Sequence, residues 1–188
     1  DPDQPPEVAA QLGDAHRQVA DLLRQMPPGP IRPQAAQGLV DALHRLVEDE
    51  LAGQFDGVAW RIEPGAAERA TALPPLAAEV VYYAAREVMR NAARYGRGNG
   101  VEIRTARPLH LRVSLRDEDG LTLLIEDDGV GMEQSRGGGT EGGTESTRQG
   151  LSLHSTLLAV VGGTLEIDSR AGAYTRARIR LAQNDPSI

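Results

Sequence analysis

LAAEVVYYAAREVMRNAARY, residues 76–95, is the longest strongly periodic stretch of the chain, and its reading decides the fold. Set at about 100° per residue, Ala77, Val81, Ala84, Val88, Ala92 and Tyr95 fall on one apolar stripe, as in a helix packed on a core. Gly96 and Gly98 close it. Glu87, Asn91 and Arg94 follow the i, i+4, i+7 spacing along one edge of that stripe, while Glu79, Arg86, Arg90 and Arg97 fall on the solvent side. An acid, an amide and a guanidinium thus border the core. Spacing alone leaves two readings open, a solvated helix flank or one wall of a site.

Toward the amino end, apolar residues recur at helical spacing over 7–26 (Val8, Leu12, Ala15, Val19, Leu22, Leu23), and Pro27-Pro28-Gly29-Pro30 stops the pattern. A second periodic stretch, 35–51, carries Leu39, Leu43 and Leu46 and runs to Gly53. Val58, Trp60 and Ile62 then alternate as a strand does, and Pro64-Gly65 reads as a loop before the pair Pro74-Pro75. Beyond the long helix the period changes to two. Val101 and Ile103, then Leu109, Leu111, Val113 and Leu115, then Leu121, Leu123 and Ile125 mark strands, with Asp117-Glu118-Asp119-Gly120 as the turn between the last pair. Residues 131–149 are rich in Gly, Thr, Ser and Glu without an apolar period and read as a mobile loop. A short helix over 150–161, stopped by Gly162-Gly163, precedes strands through Leu165 and Ile167 and through Thr175, Ala177, Ile179 and Leu181.

Intermixed helices and strands joined largely by hairpins predict an α+β fold, a two-layer sandwich whose mixed, mostly antiparallel sheet is covered by helices on one face. The opposite sheet face is expected to need a cover or a partner. The chain divides into a leading helix, 1–30, and a main domain, 34–184. At 188 residues one main core is expected.

Charge and composition exclude several classes of function. The formal net charge is −7 and the pI about 5.1, with basic residues scattered among acids, so no stripe is available to neutralise nucleic-acid phosphates. Every basic residue is Arg and none is Lys, so any lysine role falls to a guanidinium. Without Cys there is neither a disulfide framework nor a thiolate metal site. The longest apolar run, 157–161, is far too short to span a bilayer, and the amino end has no basic, apolar leader, which predicts a cytoplasmic piece without direct membrane contact. With no initiating Met and a Pro-rich start, the chain is expected to be a fragment of a longer protein.

Two further features carry chemistry. In Glu126-Asp127-Asp128-Gly129-Val130-Gly131-Met132 a strand runs directly into two acids and two glycines, which permits a sharp turn and places an acceptor at the strand end. As a hairpin turn, Asp-Gly is common. Gln149-Gly150-Leu151 opens the next helix, where backbone N–H groups and the helix dipole suit phosphate.

In this order the three features resemble the N, G1 and G2 boxes of the ATPase superfamily that includes gyrase B, HSP90, MutL and the sensor histidine kinases, whose shared architecture is the Bergerat fold. The likeness is closest to the catalytic and ATP-binding domain of histidine kinases: Glu87-Val-Met-Arg-Asn91-Ala-Ala-Arg94-Tyr95 is similar to the N box, Asp127-Asp-Gly129-Val-Gly131 to G1, and the run from Gly150 to Gly163 to G2, covering about 37–181 in all. The resemblance implies ATP and Mg²⁺ as ligands, with Asn91 coordinating the metal and Asp127 receiving the adenine amino group. Glu87 is implied to orient or deprotonate the attacking group. Arg94 stands where a phosphate-binding Lys is usual, Tyr95, Leu151 and Thr175 join the ATP-binding set, and Gly129, Gly131 and Gly150 allow close nucleotide approach. Residues 132–149 would be the ATP lid. A single amide oxygen suffices for Mg²⁺ when phosphates and water supply the rest.

Two positions depart from the family pattern: Arg148 replaces the first glycine of Gly-x-Gly-Leu, and Gly172-Ala-Tyr174-Thr175 keeps Thr175 but not the second glycine of Gly-x-Gly-Thr. The stretch 98–109 is also longer than the family requires. His16 and His44 are each followed by Arg rather than an acid, so neither fits a phosphoacceptor, and the leading helix resembles the second half of a dimerisation hairpin. His154 reads as structural and His110 as pointing outward.

The resemblance therefore implies transfer of the ATP γ-phosphoryl group to a histidine in a phosphoacceptor domain elsewhere in the parent protein, then to a response regulator, with a homodimer open. Two alternatives stand beside it: an anti-sigma-factor-like serine kinase, and a nucleotide-binding regulatory module without turnover.

Overall fold

In a computed structural model of the chain, residues 38–98, 107–131 and 144–182 are described, the first six of the last segment by backbone alone. The helix expected over 7–26, the strand at Val101 and Ile103, and residues 132–143 of the glycine-rich stretch lie outside them.

Helix α1, Leu39–Arg45, buries Leu39, Ala42 and Leu43 and continues as a wider turn, Leu46–Glu50, in which Leu51 N–H donates to the Leu46 carbonyl at 3.0 Å. The first strand, β1, is Gly57–Ile62. Its Trp60 stacks on His44 with ring centroids 3.8 Å apart. The loop expected at Pro64-Gly65 is instead the start of a two-turn helix, α2, Pro64–Thr71, which buries Ala66 and Ala70. Proline at the first helical position loses no hydrogen bond, because that N–H has no intrahelical partner. Pro-Gly signals a turn or a helix start equally, and burial of the two alanines decides for the helix.

Helix α3, Pro75–Tyr95, is the long periodic segment. Its predicted stripe is buried, except that Tyr95 is half-buried, and Ala78, Val80, Ala85 and Met89 are buried as well. The apolar face is wider than one stripe because α3 lies on the sheet and is flanked by α1 and by the last helix, α4, Thr144–Val160. Small Ala side chains let these neighbours approach closely. The three arginines assigned to the solvent side all have partners: Arg86 forms a two-pronged pair with Glu50, 2.9 Å on each prong, Arg90 lies 3.6 Å from Glu50, and Arg97 donates to Asp56 Oδ2.

The remaining strands are β2, His110–Asp117, β3, Gly120–Asp127, β4, Gly163–Arg170, and β5, Tyr174–Ala182. They form one five-stranded sheet in the order β1-β2-β3-β5-β4, in which β1 pairs with β2 in parallel and all other pairs are antiparallel. The turn from β2 to β3 puts Asp119 at φ 50° and Gly120 at φ 126°, left-handed geometry that suits the Asp-Gly pair. Period-two alternation sends Leu111, Val113, Leu115, Leu123, Ile125 and Ile179 into the core beneath the helices. This is the expected α+β two-layer arrangement.

Alternation also fixes the other face, where Arg112 pairs in register with Glu126, Glu126 with Arg176, and Arg176 with Asp168. Glu126 accepts from Arg176 Nε and Nη2 at 3.2 and 3.0 Å. Among the described residues that face carries cross-strand ion pairs joining Arg112, Glu126, Arg176 and Asp168, each worth about 0–1 kcal/mol.

The other correction concerns α4. Residues 144–149 are helical, so the stretch read as a loop over 131–149 ends sooner than expected, and Gly150 lies inside the helix instead of opening it. Polar composition shows that a segment has no apolar period; it does not exclude a helix. Among the described residues no helix is long and apolar enough to cross a membrane.

Candidate functional site

On α3 the i, i+4 pair is formed: Asn91 Nδ2 donates to Glu87 Oε1 at 3.1 Å in a half-buried setting. Because the amide's donor end is engaged by the acid, its carbonyl oxygen faces the other way and remains the acceptor end. Arg94, one turn on, is exposed, with its guanidinium carbon 5.2 Å from the Tyr95 ring centroid.

Gly150 brings α4 against this pair. A Cβ there would sit 2.9 Å from Glu87 Oε1, so a side chain at 150 would require the Glu87 carboxylate to move aside. Leu151 beside it is half-buried. One turn further, His154 is buried; desolvation lowers its pKa, partly countered by Glu87. The free helix-start N–H groups anticipated at Gly150 do not exist, since it is mid-helix. Its packing against Glu87 is what the structure assigns to it.

Asp127 ends β3 on the core side of the sheet, in register with Leu111 on β2 and Thr175 on β5. Its carboxylate is buried, and desolvation pushes its pKa up to about 6; a bond from Gly129 N–H to Oδ1 at 3.0 Å opposes the shift and the neighbouring Asp128 charge adds to it. Thr175 Oγ1 lies 3.1 Å from Ser169 Oγ on the adjacent strand.

Asp128, the next residue, meets the opposite fate. Partial burial works against its ionisation, but His110 N–H at 2.7 Å and His110 Nδ1 at 2.8 Å hold its carboxyl below the usual range. One acid turns inward, with no paired cation among the described residues, and the other outward to His110. Two adjacent carboxylates thus receive separate chemistry from their surroundings.

The loop after Asp127 is wedged between the end of α3 and the turn joining β4 to β5. Val130 N–H donates to Gly96 O at 2.8 Å, and Gly172 N–H donates to Val130 O at 2.6 Å. A Cβ at Gly129 would lie 2.5 Å from Gly96 O and 2.6 Å from Asp127 Oδ1, and one at Gly131, whose φ is 65°, would strike the Arg170 carbonyl. Glycine at 129 and 131 is therefore demanded by the protein's own packing, whereas a side chain at 150 would meet only the end of the Glu87 side chain. We expect Gly129→Ala to destabilise the domain by about 1–3 kcal/mol in urea unfolding, as overpacking against backbone does; an unchanged midpoint would refute the wedge.

Helix α3 is thus the common support: Gly150 meets it at Glu87, the 129–130 turn meets it at Gly96, and Asn91 lies between. At about 1.5 Å of rise per residue, Glu87 and Gly96 are roughly 14 Å apart along the axis. One residue here escaped sequence reading altogether. Arg107 Nη2 donates to the carbonyls of Asp128, Gly129 and Gly172, and no periodicity or motif marks it.

The chain's similarities to known proteins agree with this arrangement. Residues 77–185 match the family described as histidine kinase-, DNA gyrase B- and HSP90-like ATPase. Among solved structures, the histidine kinase domain of the Erythrobacter litoralis EL346 blue-light activated histidine kinase superposes with a TM-score of 0.52 at 15% identity, over 76% of this chain and 62% of that chain. A second structure of the E. litoralis EL346 kinase gives 0.56 at 16% identity, over 96% of this chain and 62% of that chain. Acinetobacter baumannii histidine kinase AdeS gives 0.51 at 16% identity, over 95% of this chain and 80% of that chain. At such identities the likeness is one of fold. No curated protein sequence matches. The matched stretch runs through α3, β3 and α4, the elements that carry Asn91, Asp127 and Gly150. The chain belongs to the histidine kinase-, DNA gyrase B- and HSP90-like ATPase family.

Proposed function

We propose that this chain is the ATP-binding catalytic domain of a two-component sensor histidine kinase, and that it moves the γ-phosphoryl group of ATP to a histidine elsewhere in the parent protein. A response regulator would then take the group from that histidine. The observation that carries this reading is the hydrogen-bonded Glu87–Asn91 pair on α3, with Gly150 packed on the acid. Family membership supports ATP binding.

The residues fit the ligand chemistry. Asn91 would hold Mg²⁺ through the oxygen that its bond to Glu87 leaves facing away, and the ion would offset phosphate charge. Asp127, a buried acceptor with Gly129 on one oxygen, would take the adenine amino group. Arg94 would meet phosphate, and Tyr95, Gly129, Gly131, Gly150, Leu151 and Thr175 complete the nucleotide-binding set. In the transfer, the bond from the γ-phosphorus to its bridging oxygen breaks as a bond to the imidazole nitrogen forms. ADP leaves, and the imidazole proton passes to Glu87. Positioning and charge neutralisation supply most of the catalysis.

The deciding experiment incubates the chain with γ-labelled ATP and the phosphoacceptor region of its parent protein. The label is expected on histidine, lost in acid and kept in base. Acid-stable label on serine would overturn the proposal in favour of a serine kinase, and ATP binding without any transfer would leave a regulatory module.

A further inference from the structure

We propose that Arg107 is a positioning residue for nucleotide recognition: it locks the 127–131 loop to the β4–β5 turn and so sets where the Asp127 carboxylate stands. The inference rests on the reading of Asp127 as the adenine acceptor. A single guanidinium nitrogen, Nη2, lies 3.0 Å from Asp128 O, 3.1 Å from Gly129 O and 3.2 Å from Gly172 O. Three carbonyl oxygens converging on one point repel one another unless a donor lies between them. The cation supplies that donor.

The neighbouring bonds show why this contact governs the loop. Gly172 N–H donates to Val130 O and Val130 N–H donates to Gly96 O, so the loop's middle is tied to the turn on one side and to α3 on the other. The carbonyls of Asp128 and Gly129 point to the remaining side, where Arg107 receives them. Gly129 in turn donates to Asp127 Oδ1, so any swing of residues 128–129 passes directly to the carboxylate. Arg107 therefore acts through Asp127 and the peptide units beside it, without requiring contact with nucleotide.

Arginine suits this position, being charged at all relevant pH values and carrying a rigid planar fork. A lysine ammonium has three N–H donors where Nη2 has two, but on a floppier stem, and should restore part of the effect. An alanine should let the carbonyls separate toward water and allow the loop to shift.

The test measures ATP, ADP and GTP binding by calorimetry for wild type, Arg107→Ala, Arg107→Lys and Asp127→Ala, with thermal unfolding run in parallel. Arg107→Ala is expected to bind ATP about tenfold more weakly, as loss of a charge-assisted contact implies. Its preference for ATP over GTP should fall as well, because a displaced Asp127 no longer selects the adenine amino group, and Arg107→Lys should recover part of both. A purely structural role would lower the melting temperature and leave the ATP-to-GTP ratio unchanged, which overturns the proposal. If Asp127→Ala loses ATP while Arg107→Ala binds as wild type does, the positioning role fails and the reading of Asp127 stands. If Asp127→Ala binds ATP as wild type does, that reading fails and takes the inference with it.

Discussion

Asn91→Ala is expected to lower the rate of phosphoryl transfer by at least about a hundredfold while leaving the fold intact. The side chain has two ends with different tasks. Its amide nitrogen holds Glu87 at 3.1 Å, and its oxygen, turned away by that bond, is the atom that the proposed function would offer to Mg²⁺. On the proposed roles, alanine would remove the metal ligand and also release Glu87 from its orientation, so both charge neutralisation and proton acceptance would suffer together. The cost to stability is small, because the pair is half-buried and water can replace the lost bond. Asn91→Asp is a sharper variant: it keeps an oxygen for the metal but places a second carboxylate against Glu87, where like charges repel. Single-turnover transfer with magnesium titrated against each variant checks this. Wild-type rates in Asn91→Ala at saturating magnesium would remove Asn91 from the site.

Asp127→Asn is expected to separate stability from function. Folding raises the Asp127 pKa from 3.8 to about 6, chiefly because burial disfavours the charge. The native state therefore binds a proton more tightly than the unfolded chain does, and between pH 4 and 6 it holds more protons. Stability contributed through this group consequently falls as pH rises from about 4 to about 6, and above 6 the full cost of a buried charge is present. Removing the charge should stabilise the nucleotide-free domain at pH 7.5 by on the order of 2 kcal/mol, or about 5 °C in Tm. The amide oxygen still accepts the Gly129 bond, so the local turn survives. Binding moves the other way. An Asn amide presents a donor toward the adenine amino group where the carboxylate presented an acceptor, and ATP affinity should drop roughly ten- to a hundredfold. Wild-type affinity should itself decline as pH is lowered through 6, whereas the Asn variant should be flat there. Calorimetric titrations across pH 5–8 read both effects. Equal affinity and equal pH dependence in the two proteins would exclude Asp127 as the acceptor.

Much of this was legible in residues whose partners are close in sequence or repeat along it. The period of α3 identified its core stripe, because a helix sampled every 3.6 residues must keep one face dry. Alternation in β2, β3 and β5 marked the strands for the equivalent reason at period two. The Glu87–Asn91 contact follows from i, i+4 spacing within one helix. Errors arose where composition was ambiguous. Pro64-Gly65 signals a loop or a helix start with equal force, and residues 144–149 show no apolar face because a helix need not have one.

The sequence by itself determined the periodicities, the local pairs and the resemblance that singled out Asn91, Asp127 and Gly150, since each depends on residues a few positions apart. Tertiary structure alone decided that Asp127 faces inward and Asp128 outward to His110, that Gly150 packs on Glu87, and that Arg107 gathers carbonyls from two distant turns. These contacts join segments far apart in the chain, and which of them form depends on how the sheet and α3 pack. No local pattern carries that information.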